Sequence, residues 1–252
     1  MHAFIPGLSP PLVRTATLMS FLENLQINKY DLQCFSITEG LFMSPKQDTG
    51  LEPDEHGDIV RKGYNTIAGK YYQDRNLFKN IKEIDDFIEH LPNDAVVLDI
   101  GCGGGVPVLK MLVEKGYTAK GIDFSNGMLE LAKKNVPGAE LIQGDVMKTD
   151  FESESLDGII STYAIIHIHR SYHPALYLKI YKWLKPGGVM LVSTAKTDWE
   201  EVHDYFGAEM AWNHPPARES LQMIVNTGFE ILFERLVTTG DETHYWILAK
   251  KP

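Results

Sequence analysis

The chain has 252 residues, 44% of them hydrophobic and 23% charged, which suits one α/β domain with added segments and excludes collagen, coiled coil and wholesale disorder. Its 34 acidic and 24 basic side chains leave a net charge of −10, which argues against a broad nucleic-acid footprint. Two cysteines, Cys34 and Cys102, are too few for a disulfide scaffold or a four-thiolate zinc site and are compatible with a reducing cytosol.

The first 55 or so residues hold a proline cluster (Pro6, Pro10, Pro11), a predicted helix through Thr17–Leu25 and a loop from Ser44 to Gly50. They read as an N-terminal extension, residues 1–55, part of it expected to lack order. The start of the chain has no basic region followed by an apolar one, so no signal peptide is expected, and no apolar run approaches the roughly 18 residues of a membrane span. A cytoplasmic protein, monomeric or homodimeric, is the expectation. Residues 56–252 read as the folded domain. A short helix is predicted over Tyr64–Tyr72, and Ile81, Ile84, Ile88 and Leu91 recur at helical spacing.

From Ala95 strands and helices alternate. Ala95–Ile100 is a continuous apolar run with one acid, Asp99, as expected for a strand buried on both faces of a parallel sheet. A glycine loop leads into a helix through Leu109, Leu112 and Val113. Further strands are predicted at Thr118–Ile122, Ala139–Ile142, Leu156–Ser161 and Val189–Ser193, then at Phe229–Glu234 and His244–Ala249. Ser125 is a natural N-cap for the helix carrying Met128, Leu129 and Ala132. Pro174 starts a helix that Lys185-Pro186-Gly187-Gly188 ends, and Pro215-Pro216 opens a late helix that Gly228 closes. The prediction is a Rossmann-like, doubly wound, seven-stranded and mostly parallel sheet with an antiparallel last strand and helices on both faces.

The chemistry is concentrated at Val97-Leu98-Asp99-Ile100-Gly101-Cys102-Gly103-Gly104-Gly105. Glycines are required where a strand turns sharply into a helix or a ligand approaches the backbone closely. A dinucleotide fingerprint needs Gly or Ala three residues after Gly103, where Val106 stands, so that reading fails on spacing. The carboxylate at the strand end would repel a pyrophosphate and suits a ligand with a cationic part.

These residues resemble the class I S-adenosylmethionine-dependent methyltransferases, in particular the branch acting on small molecules. The resemblance runs from about Tyr64 to the C-terminus. It implies that Asp99, Gly101, Cys102, Gly103 and Gly105 cradle the amino-acid part of S-adenosylmethionine. Asp123, in Gly121-Ile122-Asp123-Phe124-Ser125 and 20 residues after Gly103, would hold the ribose hydroxyls. Asp145, in Gly144-Asp145-Val146, would accept from the adenine amino group. Phe124, Met128, Val146, Thr162 and Tyr71 complete the expected cofactor set, with Tyr163, Trp212 and His214 expected against the acceptor. Each carries a plainer alternative: close helix packing for Gly104 and Gly105, a turn acid for Asp145, an aromatic stripe for Tyr64, and ordinary packing for Trp212 and His214. Cys102 is read as a small loop residue with no general base beside it.

His167, His169 and His173 follow the fourth strand at the end where open α/β sheets bind ligands. His167 is the expected general base, the alternative being a buried, satisfied histidine. A metal site is not expected, because no carboxylate completes the set. The predicted activity is transfer of a methyl group to an O, N, S or C atom of a small-molecule acceptor, the alternative being a non-catalytic cofactor-binding regulator or subunit of the same fold. Methylation of RNA or protein is disfavoured by the acidic balance, and no nucleic-acid or membrane partner is expected.

Overall fold

A computed structural model describes residues 49–74 and 80–252, and Lys46–Pro252 pack as one unit. The predicted helix at Thr17–Leu25 and most of the predicted extension lie outside the described residues. The chain enters on helix α1 (Pro53–Asp74) and helix α2 (Ile81–Ile88). Alternation then begins: β1 (Val96–Ile100), α3 (Val108–Glu114), β2 (Thr118–Asp123), α4 (Asn126–Asn135), β3 (Glu140–Gln143) and β4 (Leu156–Ser161). Two single turns, Ile165–His167 and Arg170–Tyr172, lead into α5 (His173–Trp183). The chain finishes with β5 (Leu184–Ala195), β6 (Trp199–Tyr205), β7 (Ala208–His214), α6 (Ala217–Thr227), β8 (Glu230–Thr239) and β9 (Glu242–Lys250).

Seven strands form one sheet in the order β3-β2-β1-β4-β5-β9-β8. The first five are parallel, and β9 runs antiparallel to both β5 and β8, as the sequence predicts. Side chains of β1 alternate between two cores. Leu98 and Ile100 join Leu176, Tyr177, Ile180 and Ile224 of α5 and α6, whereas Val97 joins Ile84, Phe87, Leu109 and Leu112 of α2 and α3. A central strand buried on both faces therefore reads as an unbroken apolar run. The order reverses between β2 and β4 on either side of β1, and that reversal opens a crevice beyond the carboxyl ends of the strands.

Three local expectations change. The first helix is 22 residues long and begins at Pro53, three residues inside the segment assigned to the extension; proline suits a first helical position, where no N–H bond is lost. Strand β5 runs back through Lys185–Gly188, which was expected to form a turn. The strand accommodates these residues with Gly187 at φ +80° and an irregular register against β4 between Leu156 and Gly158. The segment before the late helix is a strand hairpin, β6–β7, outside the main sheet. Its Met210 and Ala211 make a third small core with Val60 and Ile67 of α1.

Candidate functional site

The crevice at the strand reversal is a cavity of about 420 Å³. Its floor is the glycine loop. Gly101 N–H and Cys102 N–H both donate to the Ile122 carbonyl, at 2.8 and 3.1 Å, which folds the loop over the end of β2. Gly101 sits at φ +70°, and a Cβ there would come 2.2 Å from the Ala164 Cβ, so this glycine lets the loops after β1 and β4 meet. Gly103 is different: at φ +52° a Cβ would meet no protein atom within 4 Å, and the residue lines the cavity. A backbone bared toward an open cradle suits close approach of a ligand. Gly105 instead faces Val136 and Ala132 of α4, which is the helix-packing role.

Asp123 stands at the centre. Its Oδ2 accepts from Gly103 N–H at 2.9 Å and its Oδ1 from Ser125 N–H at 2.8 Å. Ser125 caps α4, accepting from Met128 N–H at 3.2 Å, so Asp123 is not the cap of that helix. Burial nevertheless raises the Asp123 carboxyl to about 6, against the pull of those two amides. Asp99 is raised well above the usual carboxylate range, first by burial and then by the charge of Asp123. Neither forms an ion pair among the described residues, and a cation in the cavity would lower the cost of ionising both. Asp145 lines the cavity and is turned by Met147 N–H, which donates to its Oδ1 at 2.9 Å.

The expected residues Tyr71, Gly101, Cys102, Gly103, Asp123, Phe124, Met128, Asp145, Val146, Thr162, Tyr163 and His167 all line this one cavity. Burial and the charges of Asp99 and Asp123 raise the Cys102 thiol, so it is held as the unreactive thiol. Three expectations are corrected. Asp99 does not reach the cavity surface: it is 2% exposed, and its influence is electrostatic. Trp212 and His214 do not line the cavity either, because their segment is strand β7 rather than an open lid loop. Trp212 packs behind His167, ring centres 5.3 Å apart, and stacks on His203 at 4.2 Å. His214 is buried, and burial lowers it to about 3.

His167 is fixed from both sides. Its Nδ1 lies 3.0 Å from the Ala211 carbonyl on β7; a carbonyl only accepts, so Nδ1 carries the proton. Nε2 is then the bare nitrogen, and it accepts from the Tyr64 hydroxyl of α1 at 2.9 Å. Tyr64 also lines the cavity, and its pairing with His167 resolves it as more than an aromatic stripe. His56 Nε2 donates to the His167 carbonyl at 3.0 Å, and His173 Nε2 to the Ile168 carbonyl at 2.9 Å, so the neighbouring histidines hold the segment after β4 in place.

Sequence reasoning missed Asn65 and Asn80. Asn65 Oδ1 accepts from Ser125 Oγ–H at 2.9 Å and Gly127 N–H at 3.1 Å, which ties α1 across the start of α4. Asn80 accepts from the Tyr163 hydroxyl and donates to Thr239 Oγ1 at 3.0 Å, while Tyr163 sits at φ +60°. Neither asparagine lies in a motif, and both act across more than 50 residues, so no local pattern could have marked them.

Residues 97–188 match the family model of a methyltransferase domain. Among curated proteins, the chain is 27% identical over 205 residues to the phosphoethanolamine N-methyltransferase of Plasmodium falciparum, covering 79% of this chain and 75% of that one. It is 27% identical over 226 residues to the sterol 24-C-methyltransferase of Clavispora lusitaniae, covering 77% of this chain and 60% of that one. Among solved structures, the Burkholderia thailandensis 1,6-didemethyltoxoflavin-N1-methyltransferase, with S-adenosylhomocysteine bound, superposes with a TM-score of 0.63 at 17% identity over 85% of this chain and 93% of that one.

Proposed function

By its domain and its fold this chain is a class I S-adenosylmethionine-dependent methyltransferase, and from that premise we propose that it methylates an O, N, S or C atom of a small-molecule acceptor. The observation that carries this reading is the convergence on one cavity of a bared Gly103, a half-buried Asp123 with no cation partner among the described residues, and the Tyr64–His167 pair. Gly101, Gly103 and Thr162 would hold the amino-acid part of the cofactor, Asp123 its ribose hydroxyls, and Phe124, Asp145 and Val146 its base. When bound, the cofactor would supply a methyl activated on a sulfonium, the carbon–sulfur electron pair going to sulfur as an acceptor lone pair takes the methyl.

The chain's own task is to align the acceptor and to take its proton. Alignment is worth about 7–11 kcal/mol when a near-attack geometry is held. For an alcohol, phenol or ammonium acceptor, Tyr64 relays the proton to His167 Nε2, which accepts from the Tyr64 hydroxyl while Nδ1 donates to the Ala211 carbonyl. The hairpin behind His167 excludes water from that side. The test is to incubate the full chain with methyl-labelled S-adenosylmethionine and separate phenol, amine and thiol acceptors. Label in one acceptor with matching S-adenosylhomocysteine is expected; bound cofactor without transfer to any acceptor would point to a binding protein instead.

A further inference from the structure

The cavity continues past the residues that face the cofactor. The same cavity is also lined by Ile81 and Ile84 of α2, Val106 and Pro107 before α3, Met111 of α3 and Trp246 of β9. Its polar side chains are engaged with one another. Lys110, the only lysine or arginine among the described lining residues, lies 3.8 Å from Glu114 one turn along α3, and Asn80 is held by Tyr163 and Thr239. A phosphate or carboxylate placed here would lose its hydration and, among the described lining residues, meet one cation, Lys110, which already stands beside a carboxylate. An apolar group gains what the anion forfeits, roughly 25 cal/mol for each Å² withdrawn from water. Apolar side chains stand at the exposed rim beside Lys110 and Glu114: Ile81 is 37% and Val106 38% exposed, and both line the cavity. Large hydrophobics left exposed at a pocket rim mark where a ligand enters.

Resting on the methyltransferase reading, we propose that this extension takes the body of an uncharged, apolar acceptor, an aromatic or alicyclic molecule bearing one hydroxyl or amine, and discriminates against phosphorylated amines. It therefore separates this chain from what the name of its Plasmodium falciparum relative says that protein methylates. The nucleophile would lie toward Tyr64, and the apolar body toward Ile81 and Trp246.

The test titrates the full chain, saturated with S-adenosylhomocysteine, with the neutral fluorescent probe N-phenyl-1-naphthylamine, then competes with 1-naphthol and with phosphoethanolamine. Saturable probe binding, displacement by 1-naphthol and none by phosphoethanolamine is expected. Ile81→Glu, at a position 37% exposed, should weaken the probe by about tenfold or more by setting a charge on the apolar wall, with S-adenosylhomocysteine affinity within about twofold of the parent and the melting temperature checked beside it. Probe affinity unchanged in Ile81→Glu, no saturable binding, or displacement by phosphoethanolamine would each overturn the proposal. Failure of S-adenosylhomocysteine to bind at all would instead remove the methyltransferase reading, and the probe titration would still report on the extension.

Discussion

In the proposed reaction Asp123 holds the ligand and His167 moves a proton. The Nδ1–Ala211 bond makes His167 a base at Nε2 only, and Tyr64 stands between that nitrogen and the cavity. His167→Ala should therefore slow transfer to a hydroxyl acceptor by roughly 10²–10⁴ with cofactor affinity nearly unchanged, as measured by turnover beside a binding titration; equal losses in both would make His167 a packing residue. Tyr64→Phe should reproduce most of that loss, since the ring remains and only the relay hydroxyl goes. Gly101→Ala belongs to a different class. Its Cβ would sit 2.2 Å from Ala164 at a positive φ, so it should cost several kcal/mol, about 1–3 from backbone strain alone, and lower the melting temperature before any effect on the ligand is read. The loop glycines and Asp123 were legible in the sequence because a strand-to-helix turn over a ligand demands them at fixed spacing. Asp99 was legible as an acid, but not its depth: a strand residue one position from the exposed turn points into the sheet.

At the scale of elements, α1 and the β6–β7 hairpin act together. Gly63 lets them touch: a Cβ there would lie 2.6 Å from the Glu209 carbonyl and 2.9 Å from Met210 Cε. Gly63→Ala is expected to push β7 off α1 and carry the Ala211 carbonyl away from His167. Transfer should fall and the melting temperature drop modestly, while the cofactor affinity assigned to Asp123 should hold, since Gly63 touches β7 and not the glycine loop. Cofactor affinity falling as steeply as turnover would show that the hairpin does not act through His167. The hairpin itself escaped the sequence reading because Trp199–His214 carries charges and aromatics on both faces without strict alternation, and its Tyr205-Phe206-Gly207-Ala208 turn lacks an Asn-Gly signature. The parallel strands were legible for the opposite reason: burial on both faces imposes apolar runs that no surface constraint interrupts.

For the molecule as a whole, the buried titrating groups set the response to acid. Burial holds His56 and His173 at about 4 and His214 at about 3, below the 6.5 of an unfolded histidine. Below pH 6.5 the unfolded chain takes up protons that these folded residues refuse, so their contribution to stability is lost as pH falls from 6.5 toward 4. Asp123, raised to about 6 from 3.8, works the other way, its contribution being full in acid and lost as pH rises through 6. Asp99, also raised by burial, acts in the same sense as Asp123, but three histidines outweigh the two carboxyls, so the melting temperature should decline from pH 7 to 5, and Asp123→Asn should decline more steeply than the parent. A melting temperature that rises over that interval would show that the histidines are not buried neutral. The acidity first visible as a net charge of −10 is thus partly local: Asp123 lines the cavity, Asp99 lies buried beneath it, and neither has an ion pair among the described residues. The most direct measurement of that claim is a calorimetric titration of S-adenosylmethionine into the parent and Asp123→Ala proteins. One site per chain, weakened at least about tenfold or 1.4 kcal/mol by the substitution, is predicted; equal affinity in the two proteins, or no binding to the parent, would contradict it.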